Sequence, residues 1–247
     1  NINGTAALGL IRMTFKLALD MAALLGVDDD LKEKRRHILE HLSGYATWNI
    51  PDMGRRKYNG EKVFRLAEEG KDWNGNNTLG IQHIFPAGQI GLESGPELLE
   101  LSRNMIKVMA CWDDFNGTNS FYPAAVRVGY DSGEILRHLE SWAGQKSPNG
   151  MKHGKNAHGV ESCTPSIITI NMMLCTGHQD VLRVFHAWPK EFDAAFENLR
   201  EEGAFLVSSR LRAGKVEYVE ITSERGRPCT IENPWPGRQV TVTRGDG

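Results

Sequence analysis

At Gly177 the hydrophobic pattern changes period, which rules out a single repeating architecture for the whole chain. Before it, apolar residues recur at helical spacing; after it they mostly alternate in twos. Residues 4–26 are predicted to form a helix with apolar side chains on most sides, as in a helix packed between neighbours. "DDDLKEKRRHILEHLSGY" follows, with an Asp cap, a stripe of Leu31, Ile38, Leu39 and Leu42, and Gly44 as a stop. The short join predicts an antiparallel helical hairpin. Further helices are predicted over 96–111, where Pro96 suits the first turn, and near 119–129, 131–143 and 164–176. The last starts at Thr164 or Ser162, with Pro165 just inside. Beyond Gly177, "VLRVFHAWP" reads as a strand and "EFDAAFENLRE" as a short helix. Period-two segments then turn at Ala213-Gly214 and Gly226. The expectation is an all-α domain over 1–178, then a small antiparallel β domain over 179–247.

Residues 45–95 interrupt the helices. They are mostly turn-formers, with a short strand expected at Lys62–Leu66. A loop this long in a compact domain is functional or disordered, and Trp48, Tyr58, Phe64 and Trp73 argue against disorder. The stretch "NTLGIQHIFPAGQIGL" is too rich in Gly and Pro for a plain helix or strand, yet it carries His83 among apolar residues. His83 is either a core histidine or part of a pocket wall.

Charge and composition exclude several classes of partner. The 247 residues carry a net charge of −2, which gives no electrostatic reason to expect nucleic acid or an anionic membrane. Residues 6–25 are apolar, but Arg12, Lys16 and Asp20 lie on one face and would be costly in lipid. Cys111, Cys163, Cys175 and Cys229 have no C-x-x-C spacing, so no metal site is expected. No signal peptide is visible, and the absent initial Met raises the expectation of a truncated start. A leader in such a missing portion would direct the protein out of the cytoplasm.

No G-x-S-x-G, H-E-x-x-H, P-loop or G-x-G-x-x-G is present, which argues against a zincin, a P-loop ATPase or a Rossmann dehydrogenase. Four polar stretches remain, each in a Gly-rich loop at a helix end. They hold Glu68 and Glu69; Gln82 and His83; Asp113, Asp114, Asn116, Asn119 and Tyr122; and His153, Asn156, His158 and Glu161. Taken singly, each also fits a solvated pair, a turn or a capping group. Together they form an open pocket if such loops share one mouth of a helical ring.

Read in order, these stretches resemble the C-terminal half of glycoside hydrolase family 95, the α-L-fucosidases. "LGLIRMTFKLALDMAALLGVD" looks like a barrel helix of that family. "GIQHIFPAGQIGL" is similar to its S-H-L-x-G-L-Y-P-G loop. "HGVESCTPSIITINMMLCTGH" stands where the family has I-D-G-N-F-G and a helix ending in Q-S-H. "VLRVFHAWPKE" is similar to its L-L-P-A-L-P segment, and "GAFLVSSRLRAGKVEYVEI" to its G-G-F-x-V strand pair.

The resemblance implies a six-hairpin α/α toroid, of which this chain supplies the C-terminal part, with the missing N-terminal half as a partner. It implies inverting hydrolysis of an α-fucosylated oligosaccharide without a cofactor. Such chemistry needs an acid and a base roughly 6.5–9.5 Å apart. The family's acid precedes the histidine loop, and Glu68 is the nearest match, with Glu69 the alternative. Phe64 or Trp73 would supply the apolar wall that raises an acid's pKa. The family's Asp falls near Lys155 or Asn156, where no carboxylate stands; Glu161 replaces it, another group serves, or fucosides are not hydrolysed. His83, Gln82, Asn119, His158 and Trp73 are the expected substrate contacts. The alternatives are another toroid carbohydrate enzyme, a lyase or a phosphorylase, and a non-catalytic carbohydrate-binding relative. A half-toroid exposes an apolar edge and is expected to self-associate.

Overall fold

The computed structural model describes residues 1–50, 60–70, 78–113, 118–144 and 164–245. By internal contacts the chain divides into two compact units, Asn1–Thr169 and Ile170–Gly247.

The expected toroid is not formed. Among the described residues the architecture is mixed, with six α-helices and four small antiparallel sheets. The first unit begins with strand β1 (Ile2–Gly4), then helices α1 (Thr5–Leu25) and α2 (Asp29–Glu40). Strands β2 (Thr47–Asn49), β3 (Lys62–Phe64) and β4 (Ala67–Glu69) follow. Helices α3 (Pro96–Met109), α4 (Thr118–Arg127), α5 (Ser132–Ala143) and α6 (Thr164–Leu174) come next, and α6 runs across the boundary between the units.

The toroid fails because the turn-rich segment builds structure of its own. β4 pairs with β1, and β3 with β2, so two short ribbons stand where a toroid would stack helices. A 3-10 turn at Leu79–Ile81 then packs with α1, α3 and α4. Ile81, Ile84 and Ile90 from this stretch are buried, as are Met105, Ile106 and Met109 of α3. Gly80 admits α3 directly: a Cβ there would stand 2.4 Å from Cε of Met105.

α1 and α2 are adjacent, as expected of a hairpin, but α1 is not enclosed by neighbours. Its fully buried residues are Thr5, Leu8, Gly9 and Ala22, while Leu17, Met21, Leu24 and Leu25 are exposed. Gly26, at φ 66°, ends α1 in the left-handed conformation that glycine adopts without a Cβ clash. Asp28 stands before α2 but does not cap it; its carboxylate accepts from Arg35 Nη2 at 2.7 Å. Among the described residues no helix is long and apolar enough to cross a membrane.

In the second unit β5 (Cys175–Thr176) pairs with β6 (Arg183–Val184), and β7 (Ala194–Glu201), β8 (Phe205–Arg212) and β9 (Lys215–Ser223) form an antiparallel meander. The segment expected as a short helix is strand β7. Its ladder shifts register between Phe196 and Leu199, with Asn198 at φ 54°. That irregularity sets the two apolar residues three apart, a spacing that imitates a helix in sequence. The hairpin turn at Ala213 and Gly214 uses positive φ at both residues, 46° and 73°, matching the twist of β8 and β9. Phe196, Phe205, Val207, Leu211 and Val216 form the core with Phe185.

Candidate functional site

The β1–β4 pairing sets Ile2 opposite Glu69 and Gly4 opposite Ala67, which brings Asn3 across from Glu68. Asn3 Nδ2 donates to Glu68 Oε2 at 2.6 Å and to Ser43 Oγ at 2.8 Å. Arg65 Nη1 donates to the carbonyl of Glu68 at 3.3 Å, and Thr5 Oγ1 donates to the carbonyl of Arg65 at 2.6 Å. Glu68 is exposed on a short strand whose ends are tied. One carboxylate oxygen, Oε2, is held by an amide.

From Ser43 the polar chain turns inward. The Ser43 carbonyl accepts from Arg12 Nη2 at 2.5 Å. The Arg12 guanidinium lies over the Tyr45 ring, 4.8 Å from its centroid. The Tyr45 ring is 4.7 Å from that of His83, and Phe64 meets His83 edge-on at 4.5 Å. His83 has no exposed surface. Among the described residues neither of its nitrogens has a hydrogen-bond partner. Burial first, and the charge of Arg12 second, push the His83 pKa down to about 3, so its ring is neutral near pH 7. Burial raises the Tyr45 phenol, and the nearby Arg12 opposes that shift.

Glu68 and His83 thus stand at the two ends of one polar chain, Glu68–Asn3–Ser43–Arg12–Tyr45–His83. His83, expected on a pocket wall, is enclosed at the inner end. Phe64, the expected wall for the acid, packs its ring on His83 and Tyr45. Gln82 is half-buried beside the 3-10 turn, and Glu69 is exposed on β4. Asn119 is half-buried on α4 and accepts from Ser120 Oγ at 3.5 Å. Tyr122 is buried, its hydroxyl donating to the Trp112 carbonyl at 3.1 Å. Glu161, His158 and Trp73 lie outside the described residues.

The sequence reading missed Asn3, Ser43 and Tyr45 and gave Arg12 no role in a site. Arg12 alone carried a signal: it is the first charge in an apolar helix, which fits a buried partner as well as it excludes lipid. Asn3, the middle residue of a three-residue strand, and Ser43, a loop residue, have no pattern to mark them. Among the described residues no group of three His, Cys, Asp or Glu side chains is arranged to hold a metal ion. The chemistry the chain of residues offers is that of one oriented, solvent-facing carboxylate backed by a buried guanidinium and a neutral imidazole. No protein-family model matches this chain, and no curated protein matches it in sequence.

Proposed function

We propose that this chain is a carbohydrate-active hydrolase that cleaves α-linked fucosides or a related sugar, with Glu68 as the general acid. The observation that carries the reading is the grip of Asn3 on one oxygen of an exposed Glu68, which fixes the orientation of the carboxylate. The resemblance of the loop order to glycoside hydrolase family 95 is what suggests the substrate class, and no family model adds to it. Glu68 would protonate the leaving oxygen, and a second group would activate water on the opposite face of the sugar. Glu161 is the candidate for that second group.

The test is incubation of the protein with a panel of α-fucosylated and other oligosaccharides, with detection of released monosaccharide. Release of fucose supports the full reading, and release of another sugar keeps the hydrolase and discards fucose. An unsaturated product, or one that requires phosphate, contradicts hydrolysis.

A second reading is a carbohydrate-binding protein without turnover. The observation favouring it is the enclosure of His83, which removes the one imidazole of the candidate loop from contact with a ligand. Binding to the same panel with no product released would select it.

A further inference from the structure

Beside the β8–β9 hairpin an open cleft of about 360 Å³ is walled by Trp235, Pro234 and Pro236 and ringed by Lys190, Lys215 and Arg238. Among the described residues no acidic side chain lines it. Among the described residues none of these three cations is in an ion pair. Three like charges around one concavity repel one another, and a bound anion would relieve that repulsion.

The indole is held in place before any ligand arrives. Trp235 Nε1 donates to the Val216 carbonyl at 2.6 Å, and its backbone N–H donates to Asn233 Oδ1 at 2.9 Å. Arg238 N–H donates to the Trp235 carbonyl at 3.0 Å, which ties one of the cations to the same turn. With its N–H already committed, the indole offers a ligand only its π surface. The cleft therefore pairs an apolar stacking face, flanked by two rigid prolines, with a positive rim.

We infer that this cleft binds an anionic saccharide, with a pyranose ring stacked on Trp235 and its carboxylate or sulfate held by Lys190, Lys215 and Arg238. The ring's C–H face suits an indole surface that has no donor to spare. The rim selects a charged sugar over a neutral one. A single indole in a cleft of this volume accommodates one or two rings, not the stacked series of bases along a basic track that single-stranded nucleic acid uses. The choice of a sugar among anions rests on the carbohydrate reading above, whereas the cleft is separate in sequence from Glu68 and does not depend on its role.

The test is calorimetric titration of the full chain with four probes: oligogalacturonate, chondroitin sulfate oligosaccharide, neutral dextran oligosaccharide and a single-stranded oligonucleotide. The expected result is binding of one or both anionic saccharides, weakened by salt, and no binding of dextran. The carboxylated and sulfated probes distinguish the two sources of charge. Lys215→Glu with Arg238→Glu alters two exposed side chains and should weaken that binding by about tenfold or more, with thermal stability unchanged. Glu68→Gln should leave it unchanged, so failure of the hydrolase reading and failure of this site are separable. Absence of binding to both anionic saccharides, equal binding by the charge-reversed variant, or tighter binding of the oligonucleotide would overturn the inference.

Discussion

Gly9 of α1 lies directly against the backbone of His83: a Cβ on Gly9 would stand 2.7 Å from both Cα and Cβ of His83. A glycine inside a helix costs about 1 kcal/mol relative to alanine, so its presence here needs a reason, and the close approach supplies one. Gly9→Ala gains that propensity but forces the helix away from the turn that carries His83. The clash is with backbone, which cannot swing aside as a flexible side chain would. The variant should lose about 1–3 kcal/mol net, measured by denaturant unfolding. A variant as stable as the parent would show that α1 and the turn do not meet this closely.

The enclosure of His83 makes stability depend on pH. Its folded pKa of about 3 lies below the ordinary 6.5. Between those values the unfolded chain takes up a proton that the folded chain refuses, so acid favours unfolding. This contribution is constant above pH 6.5 and is lost as pH falls toward 3, at up to about 1.4 kcal/mol per pH unit. Other groups titrate in this window, so the measured quantity is the difference between the parent and His83→Leu. Unfolding free energies from pH 7 to 4 should fall more steeply for the parent. Parallel slopes would mean that His83 titrates normally and is reached by water.

Burial differs sharply along the helices of the first unit. Met105 has no exposed surface, whereas Leu24 is 78% exposed. Met105→Ala should cost about 2–5 kcal/mol, and Leu24→Gln should stay within about 0.5 kcal/mol. A large loss from Leu24→Gln would place that side chain in an interface not seen in the single chain. Analytical ultracentrifugation of the parent would then identify self-association.

Asn3 is a positioning residue for Glu68. Asn3→Ala removes the 2.6 Å hydrogen bond without touching the carboxylate. Turnover should fall by about threefold to tenfold with KM little changed, because the acid loses orientation and not identity. A structural role alone would lower thermal stability and leave kcat per folded molecule intact. Kinetic constants corrected for the folded fraction separate the two.

Much of the helical content was legible in the sequence and the assembly was not. The helices predicted over 4–26, 96–111 and 131–143 appear as α1, α3 and α5 with ends displaced by two residues or fewer, because sustained apolar periodicity is the strongest local signal of a helix. β1 to β4 span three residues each, too short to register as a period. Their partners, Ile2 for Glu69 and Thr47 for Phe64, are chosen by the folded chain. An all-helical domain was therefore expected from periodicity, and the resemblance made it a toroid, where two ribbons stand. β7 was misread because the irregularity at Asn198 breaks its alternation. Glu68 was picked out from its place before the histidine loop, but its tether to Asn3 depends on strand pairing between distant segments. The enclosure of His83 likewise depends on Gly9, Tyr45 and Phe64, none of which marks it locally.

The most direct measurement is turnover of an α-fucosylated oligosaccharide by the parent, Glu68→Gln and Glu69→Gln, with binding of the same substrate followed by calorimetry. The account predicts that Glu68→Gln abolishes release of the sugar while retaining the fold and the affinity, and that Glu69→Gln remains active. Full activity in Glu68→Gln, or loss confined to Glu69→Gln, would contradict the assignment of Glu68 as the acid.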